Sequence, residues 1–461
     1  MATSTLLQRL RARLAEPIDA TSVAAFRIVF GLLVLVTTLR FIANGWIHEY
    51  YEVPTHFFAY WGFSWIKPWP GIGMYVHYGA MAVLAAMIVV GLFTRFATLG
   101  FGLLFAYAHM IDKTNYLNHY YLLICVSLVM TLLPMSSTWS LDARLRPHLA
   151  RTHVPSWVLW TLRAQIGLVY VFAGLAKLKY DWVVEAQPMT IWLSANTDFP
   201  ILGPLFEHRW IAYAFSYAGI VFDLSVVPLL LWQRSRPFAY VAVVAFHLIT
   251  SRLFHLGMFP WIMMASSLVF LPAGWPRRLL ARVHPCEVRP VTDARPLRGG
   301  RLVRGVLVAY FAIQIALPLR HVAYPGDMCW TEQGFRFAWH VMVMEKDGSV
   351  LYHVREPATG RHWDVAPGEY LTRYQTKMMA PQPDMILELA HVIAGDFARR
   401  GVRDPVVTVD AFVSLNGHRR GRLVDPSVDL AREHDGLANK SWILPRPTDE
   451  VAPLLSAKAT P

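Results

Sequence analysis

The stretch "HMIDKTNYLNHYYLL", residues 109–123, places His109, Asp112, Lys113, Asn115, Asn118 and His119 between two long apolar runs, 95–112 and 117–137. Runs of roughly 17–25 mostly apolar residues are what a helix needs to cross hydrocarbon. Ionisable groups at such a place cost several kcal/mol unless they are paired, solvated or neutralised. The stretch therefore reads as a polar knot at the end of a membrane hairpin, with both helix ends aiming polar groups into one small volume.

Working outward, comparable runs lie at 21–44, 72–93, 156–180, 210–232, 237–254, 256–272 and 303–320. Together they predict a polytopic α-helical membrane protein with about nine transmembrane helices. Composition agrees, since 55% of residues are hydrophobic and only 16% are charged. The net charge of +12 could suggest a nucleic-acid partner. However, the Lys and Arg residues cluster in short segments between apolar runs instead of forming one basic face. That pattern orients a chain in a bilayer, so the lipid bilayer is the expected partner and no nucleic acid is. With the N-terminus inside and nine crossings, Arg9, Arg11, Arg13, Arg144, Arg146, Arg151 and the basic run from Arg277 to Arg304 fall on the cytoplasmic side. The knot, and everything after residue 320, then faces the exoplasmic side.

Three regions follow: residues 1–20, 21–320 and 321–461. In the first, "LLQRLRARL" (6–14) predicts a short basic amphipathic helix on the cytoplasmic surface. The second holds the transmembrane helices. The third alternates apolar and polar residues in "VMVMEKDGSVLYHV" (341–354), about an Asp-Gly pair, and in "VTVDAFVSLNGHRRGRLV" (407–424), about an Asn-Gly pair. Each is a hairpin signal, and "PDMILELAHVIAGDFARR" (383–400) between them has helical spacing, so an exoplasmic α+β domain is expected. The Arg- and Pro-rich 282–301 reads as a loop, and the last dozen residues as loosely ordered. Cys125, Cys286 and Cys329 lack CxxC or Cys/His spacing, so neither a disulfide framework nor a metal site is expected.

Lys113 is the leading catalytic candidate. It follows His109 by one helical turn and Asp112 directly, and apolar surroundings push a lysine's proton affinity down, which frees the amine to act as a base. A snorkelling lysine at a span end would need no such polar company. Other polar groups within the spans are Arg27, Arg40, His77, Arg163, Gln165, Lys177, Asp223 and His247, with Arg252 and His255 beside them. Asp223 is expected to neutralise Arg163, and the set together suggests a polar cavity inside the bundle. The aromatic "HFFAYWGFSWIKPWP" (56–70) reads as an interfacial belt or as the roof of a pocket for a flat ring system.

At these residues the chain resembles the vitamin K-dependent γ-glutamyl carboxylase family and the bacterial HTTM-domain membrane proteins related to it. "DKTNYLNHYYL" is similar to the family's DKTSWNNHSYL, with Asp112, Lys113, Thr114, Asn118, His119, Tyr121 and Leu122 matching in place and Tyr116 and Leu117 departing. The likeness continues in "VYVFAGLAKLKYDW" (169–182), "FHLITSRLFHLGMF" (246–259), "WPRRL" (275–279), "VSLNGHRRGRLVDPSVDL" (413–430) and "SWILP" (441–445). The resemblance implies that a lysine, here Lys113, deprotonates vitamin K hydroquinone. The quinol then takes up O2 to become a strong base, which removes the γ-proton of a peptide glutamate. CO2 captures the carbanion and the quinone leaves as its epoxide. Asn118, His119, His109 and Asp112 are the expected cofactor-binding residues, and Arg252 and His255 the expected contacts to a glutamate-containing peptide. The expected location is a bacterial inner membrane, with the active site on the periplasmic side to which the loop charges assign the knot. Animal members continue beyond the "SWILP" match with a further exoplasmic region, so processive carboxylation is less expected here than quinol epoxidation. Three other readings stand beside it: a quinol epoxidase without carboxylation, a haem-bearing quinol oxidoreductase with histidines as axial ligands, and a membrane transporter or binding scaffold.

Overall fold

The computed structural model describes residues 2–254, 256–283 and 300–447. His255, Cys286, most of the loop expected at 282–301 and the final dozen residues lie outside the described residues.

The chain is mainly helical. Helix α1 (Ala2–Ala15) leads into a short antiparallel pair, β1 (Pro17–Asp19) with β2 (His153–Pro155). The bundle follows as α2 (Thr21–Ala43), α3 (Gly73–Val90), α4 (Thr94–Met110), α5 (Asn118–Leu132), α6 (Ser156–Ala176), α7 (Arg209–Leu231), α8 (Arg236–Leu253), α9 (Phe259–Ser266) and α10 (Gly300–Leu319). Among the described residues, five helices are long and apolar enough to cross a membrane: α2, α3, α6, α7 and the segment Gly300–Ala323 that contains α10. Of the remaining runs, α4, α5 and α9 are shorter as helices, while α8 has 18 residues like α3. At 1.5 Å per residue, α4 and α5, with 17 and 15 residues, reach roughly 25 and 22 Å. Helix α8 carries Arg236 and Arg252 near its ends, and α9 has 8 residues before it tightens into a 3-10 turn.

Consecutive helices pack side by side, α2 on α3, α3 on α4, α4 on α5 and α6 on α7. Their shared core includes Phe26, Phe30, Val34, Met81, Ile88, Phe101, Val126 and Ile166. The opposite faces are equally apolar and uncovered: Val76, Val83, Leu103, Val221, Phe238 and Val241 are exposed, as are Leu302, Val306, Val308 and Ile315 on α10. A helix apolar all round, with only one face covered by protein, finds its second apolar phase in lipid.

Two arginines in the bundle are satisfied by backbone carbonyls. Arg27, fully buried, donates to the carbonyls of Ile88 (2.8 Å), Val89 (2.9 Å) and Trp139 (2.5 Å), closing the C-terminus of α3. Gly91 follows at φ +70°, where a Cβ would also collide with the Arg27 guanidinium. Arg163 does not meet Asp223 as expected; it donates to the carbonyls of Val269 (2.8 Å) and Leu271 (3.2 Å), and Asp223 is taken by Lys177 at 2.8 Å. The guanidinium thus satisfies a 3-10 end that would otherwise leave carbonyls bare.

The C-terminal region holds a four-stranded antiparallel sheet in the order β4-β3-β5-β6, from β3 (Lys346–Arg355), β4 (His362–Val365), β5 (Val406–Leu415) and β6 (Gly421–Arg422). Helix α11 (Arg373–Met379) and helix α12 (Pro383–Arg399) cover it. Residues Ile386, Leu389, Ala390, Ile393 and Phe397, at helical spacing, bury against Tyr352, Val407, Val409 and Val413. The Asn-Gly hairpin forms as expected, with Asn416 at φ 53° and Gly417 at φ 79° between β5 and β6. The Asp-Gly pair is not a turn. Asp347 and Gly348 lie in β3 opposite Ser414 and Val413, and Gly348 is needed because a Cβ would stand 2.8 Å from the Ala380 carbonyl oxygen.

Candidate active site

The knot is a short turn held from three sides. Asp112 leaves α4 in extended conformation and its Oδ1 accepts the Thr114 backbone N–H (2.9 Å), which starts the 3-10 turn Lys113–Asn115. The Lys113 backbone N–H donates to Phe58 O (2.9 Å). Gln375, on α11, donates to Asp112 Oδ2 (2.8 Å) and to His56 O (2.8 Å), so the sheet region grips the turn directly. Asp112 thereby orders the turn, with both carboxylate oxygens engaged.

Lys113 is buried, its side chain 2% exposed, and its ammonium meets acidic side chains of the C-terminal region. It pairs with Asp384 Oδ2 at 3.1 Å and Glu388 Oε2 at 3.0 Å, both from the first turns of α12. Arg336 pairs with the same Asp384 oxygen at 2.7 Å. Burial by itself would push the lysine down, as the sequence suggested, but the two carboxylates outweigh it and hold Lys113 above the ordinary lysine range. Asp384 is held far below the usual carboxylate range: burial opposes this, but Arg336 and Lys113 prevail. Glu388 lies above that range because burial outweighs Lys113. The resting lysine is therefore an ammonium.

Beside the knot opens a cavity of about 660 Å³, lined among others by His109, Asn115, Asn118, His119, Arg40, Tyr50, Tyr78, Tyr120, Phe259 and Tyr374. Small-molecule sites span roughly 300–1,000 Å³. His109 presents two buried ring nitrogens with no hydrogen-bond partner among the described residues. Such orphaned polar atoms in a residue that lines a pocket fit a ligand that carries hydroxyls or carbonyls, once a small ring movement brings them to it. Asn118 is more committed: its Oδ1 accepts from the Tyr116 hydroxyl (2.9 Å) and its Nδ2 donates to His340 O (3.0 Å). His119 packs edge-on to Tyr120, with ring centroids 4.7 Å apart.

The structure thus gathers His109, Asn118 and His119 on one wall, sets Asp112 behind them and turns the Lys113 ammonium to the other side, outside the cavity lining. Arg252, exposed near the end of α8, does not join them, although its neighbour Ser251 lines the cavity. None of residues 56–70 lines it either. Trp61, Trp65 and Trp69 face outward, as a belt would, and Phe58 is buried beneath.

A second cavity, about 350 Å³ and almost wholly apolar, shares Phe254, Leu256, Phe259, Val341 and Met342 with the first. It holds the Lys177–Asp223 pair, Tyr170 and His247. Elsewhere Asp181, Glu185 and His418 bring potential metal-ligand atoms within 4.8 Å of one another. Asp181 is already engaged by Arg446 (2.9 Å) and Asn416 (2.8 Å), which makes this cluster an ion-pair junction between the bundle and the β5–β6 hairpin.

Sequence reasoning missed Asp384, Glu388 and Arg336. The available signal was two acidic residues, one helical turn apart, on an otherwise apolar segment "PDMILEL" (383–389).

No solved structure matches the chain. The family described as HTTM domain matches residues 15–275, more than half of the chain, and the family described as "Vitamin K-dependent gamma-carboxylase, lumenal domain" matches residues 300–449. The chain belongs to the HTTM-domain, vitamin K-dependent γ-carboxylase family.

Proposed function

We propose that this chain is a membrane enzyme that uses reduced vitamin K, O2 and CO2 to convert peptide glutamate to γ-carboxyglutamate, with Lys113 as the base that starts the reaction. The observation that carries this reading is the cavity of about 660 Å³ lined by residues of the knot, His109 with its two buried, unpartnered ring nitrogens among them, and Lys113 buried nearby. We also read nine crossings with the N-terminus inside, residues 321–461 as an exoplasmic domain, and the inner membrane of a bacterium as the location.

A glutamate γ-proton is far too weakly acidic for an amine near neutral pH; reduced vitamin K, when bound, reacts with O2 to supply the strong base and leaves as its epoxide. The remaining work belongs to the chain. His109 and His119 offer ring nitrogens to the quinol oxygens, Asn118 fixes the rim between them through Tyr116 and His340, and Tyr120 and Phe259 exclude water. Asp112 holds the turn that carries Lys113, whose buried ammonium lies outside the cavity lining and takes the quinol proton once the freed amine turns toward it. Arg252, exposed near the end of α8 and apart from this wall, is proposed to steer a peptide carboxylate.

The test is labelled CO2 fixed into a glutamate peptide by the purified chain, with and without vitamin K hydroquinone, scoring epoxide in the same samples. Quinol-dependent label together with epoxide is expected. Epoxide without label would leave a quinol epoxidase, and neither product would overturn the reading.

A further inference from the structure

Two carboxylates meet the Lys113 ammonium at nearly the same distance, Asp384 at 3.1 Å and Glu388 at 3.0 Å, one helical turn apart on α12. They are not equivalent. The Asp384 oxygen that faces Lys113 also faces Arg336 at 2.7 Å, a cation that does not give up its charge, so this carboxylate stays ionised. Glu388 has no guanidinium. Its second oxygen accepts the Ala59 backbone N–H at 2.8 Å and stands 3.7 Å from His56 Nε2. Of the two, Glu388 alone is free to take a proton.

We propose that Glu388 is the positioning residue that accepts the Lys113 proton, frees the amine for the quinol, and passes the proton through His56 toward the exoplasmic side. This rests on Lys113 being the base. The step is balanced: the N–H bond of the ammonium breaks, an O–H bond forms on Glu388 across 3.0 Å, and the pair passes from two opposite charges to a neutral amine and a neutral acid. A buried, weakly solvated pair is where that exchange costs least, since neither product needs a counter-ion. The amine, uncharged, is no longer tied to Asp384 and can turn toward the cavity. It then takes the quinol proton and becomes an ammonium again, while the neutral Glu388 carboxyl, protonated on Oε2, rotates about its Cγ–Cδ bond to hand that proton to His56 Nε2, which stands 3.7 Å from Oε1.

The surroundings act on both ends of the transfer: the two carboxylates hold Lys113 above the ordinary lysine range, which resists it, and burial works for it at Glu388. Burial already pushes Glu388 above the ordinary carboxylate range. His56, with its side chain 19% exposed, is lowered to about 4 by burial and by Lys67 and Lys113, so near neutral pH its ring is uncharged and has a lone pair to lend. The groups facing Glu388 are Lys113 from the knot, His56 and the Ala59 N–H from the preceding loop, and Asp384 on its own helix with Arg336 behind it.

The test compares Glu388→Gln, Glu388→Asp and Lys113→Ala in full-length protein, measuring epoxide formation from vitamin K hydroquinone as kcat and KM from pH 6 to 10. Glu388→Gln keeps an acceptor for Ala59 but cannot take the proton. Its kcat is expected to fall by roughly 10²–10⁴-fold at neutral pH with KM for quinol little changed, and to recover as pH rises and bulk base deprotonates the lysine. Glu388→Asp, which retains the function at a longer reach, is expected to fall far less and keep the wild-type profile. If Glu388 merely holds the ammonium, its neutralisation lowers the proton affinity of Lys113 and raises activity at neutral pH. That outcome, or a kcat unchanged in both variants, overturns the assignment. Turnover retained in Lys113→Ala instead overturns the role of the lysine itself, which separates the two failures.

Discussion

The pair Lys177–Asp223 tests how the bundle tolerates charge. Lys177 Nζ lies 2.8 Å from Asp223 Oδ2, the side chains are 7% and 8% exposed, and the surrounding cavity is almost wholly apolar. At an effective dielectric of 20 the gross attraction at this distance is about 6 kcal/mol, and desolvating both ions offsets most of it. Removing one partner leaves the other charge buried and alone, at about 3–5 kcal/mol. Lys177→Met also strips a donor from Val341 O at 3.2 Å, adding about 1 kcal/mol. At roughly 2–4 °C per kcal/mol for a unit of this size, Asp223→Asn is expected to lower the melting temperature in detergent by about 6–20 °C and Lys177→Met by about 8–24 °C. The double variant Lys177→Met/Asp223→Leu removes both charges and is expected to melt within a few degrees of the parent. The assay is thermal unfolding by intrinsic tryptophan fluorescence at fixed detergent and pH. Single variants melting within 2 °C or so of the parent, or a double variant falling by the sum of the singles, would refute the account.

Three further outcomes can be measured. Gly348→Ala sets a Cβ 2.8 Å from the Ala380 backbone oxygen and should destabilise the sheet region by about 1–3 kcal/mol; an unchanged melting curve speaks against that close approach. His109→Leu removes two buried ring nitrogens that have no partner among the described residues, so stability should hold or rise by about 1 kcal/mol while quinol turnover falls at least tenfold; unimpaired turnover would exclude His109 from the quinol site. The junction at α12 should stay closed over a wide pH range. Asp384, with its folded proton affinity depressed, contributes fully above about pH 4 and is lost only as pH falls through its lower value, whereas Lys113, raised, contributes fully below about pH 10 and is lost as pH climbs past its higher value. Hydrogen exchange across Pro383–Arg399 checks this, and loosening between pH 6 and 8 would contradict it.

What was legible in the sequence was local. Apolar runs located the helices, the Asn416-Gly417 pair located the β5–β6 turn, and the spacing of Ile386, Leu389, Ile393 and Phe397 located α12. The Asp347-Gly348 pair misled because glycine serves two ends: it permits a turn, and it permits another backbone to come close, which here is Ala380. Length was overestimated wherever an apolar run spans a break. The run 256–272 becomes an 8-residue helix and a 3-10 turn, since Arg163 reaches across to the carbonyls of Val269 and Leu271.

Lys113 shows why a correct inference about burial can give the wrong sign for a proton. Burial and pairing act oppositely on an ammonium, and composition near the residue reports only the first. The carboxylates that decide the balance, Asp384 and Glu388, lie more than 260 residues along the chain and reach the knot only because α12 packs on the sheet and presents its first turns to it. The candidate site around Lys113 is thus completed by the region outside the bundle. A lysine at a span end, read alone, would be either a snorkelling anchor or a neutral amine. Held by two acids of which one is locked by Arg336, it is a charged group with a single outlet for its proton, and that asymmetry resides in the fold, not in the motif.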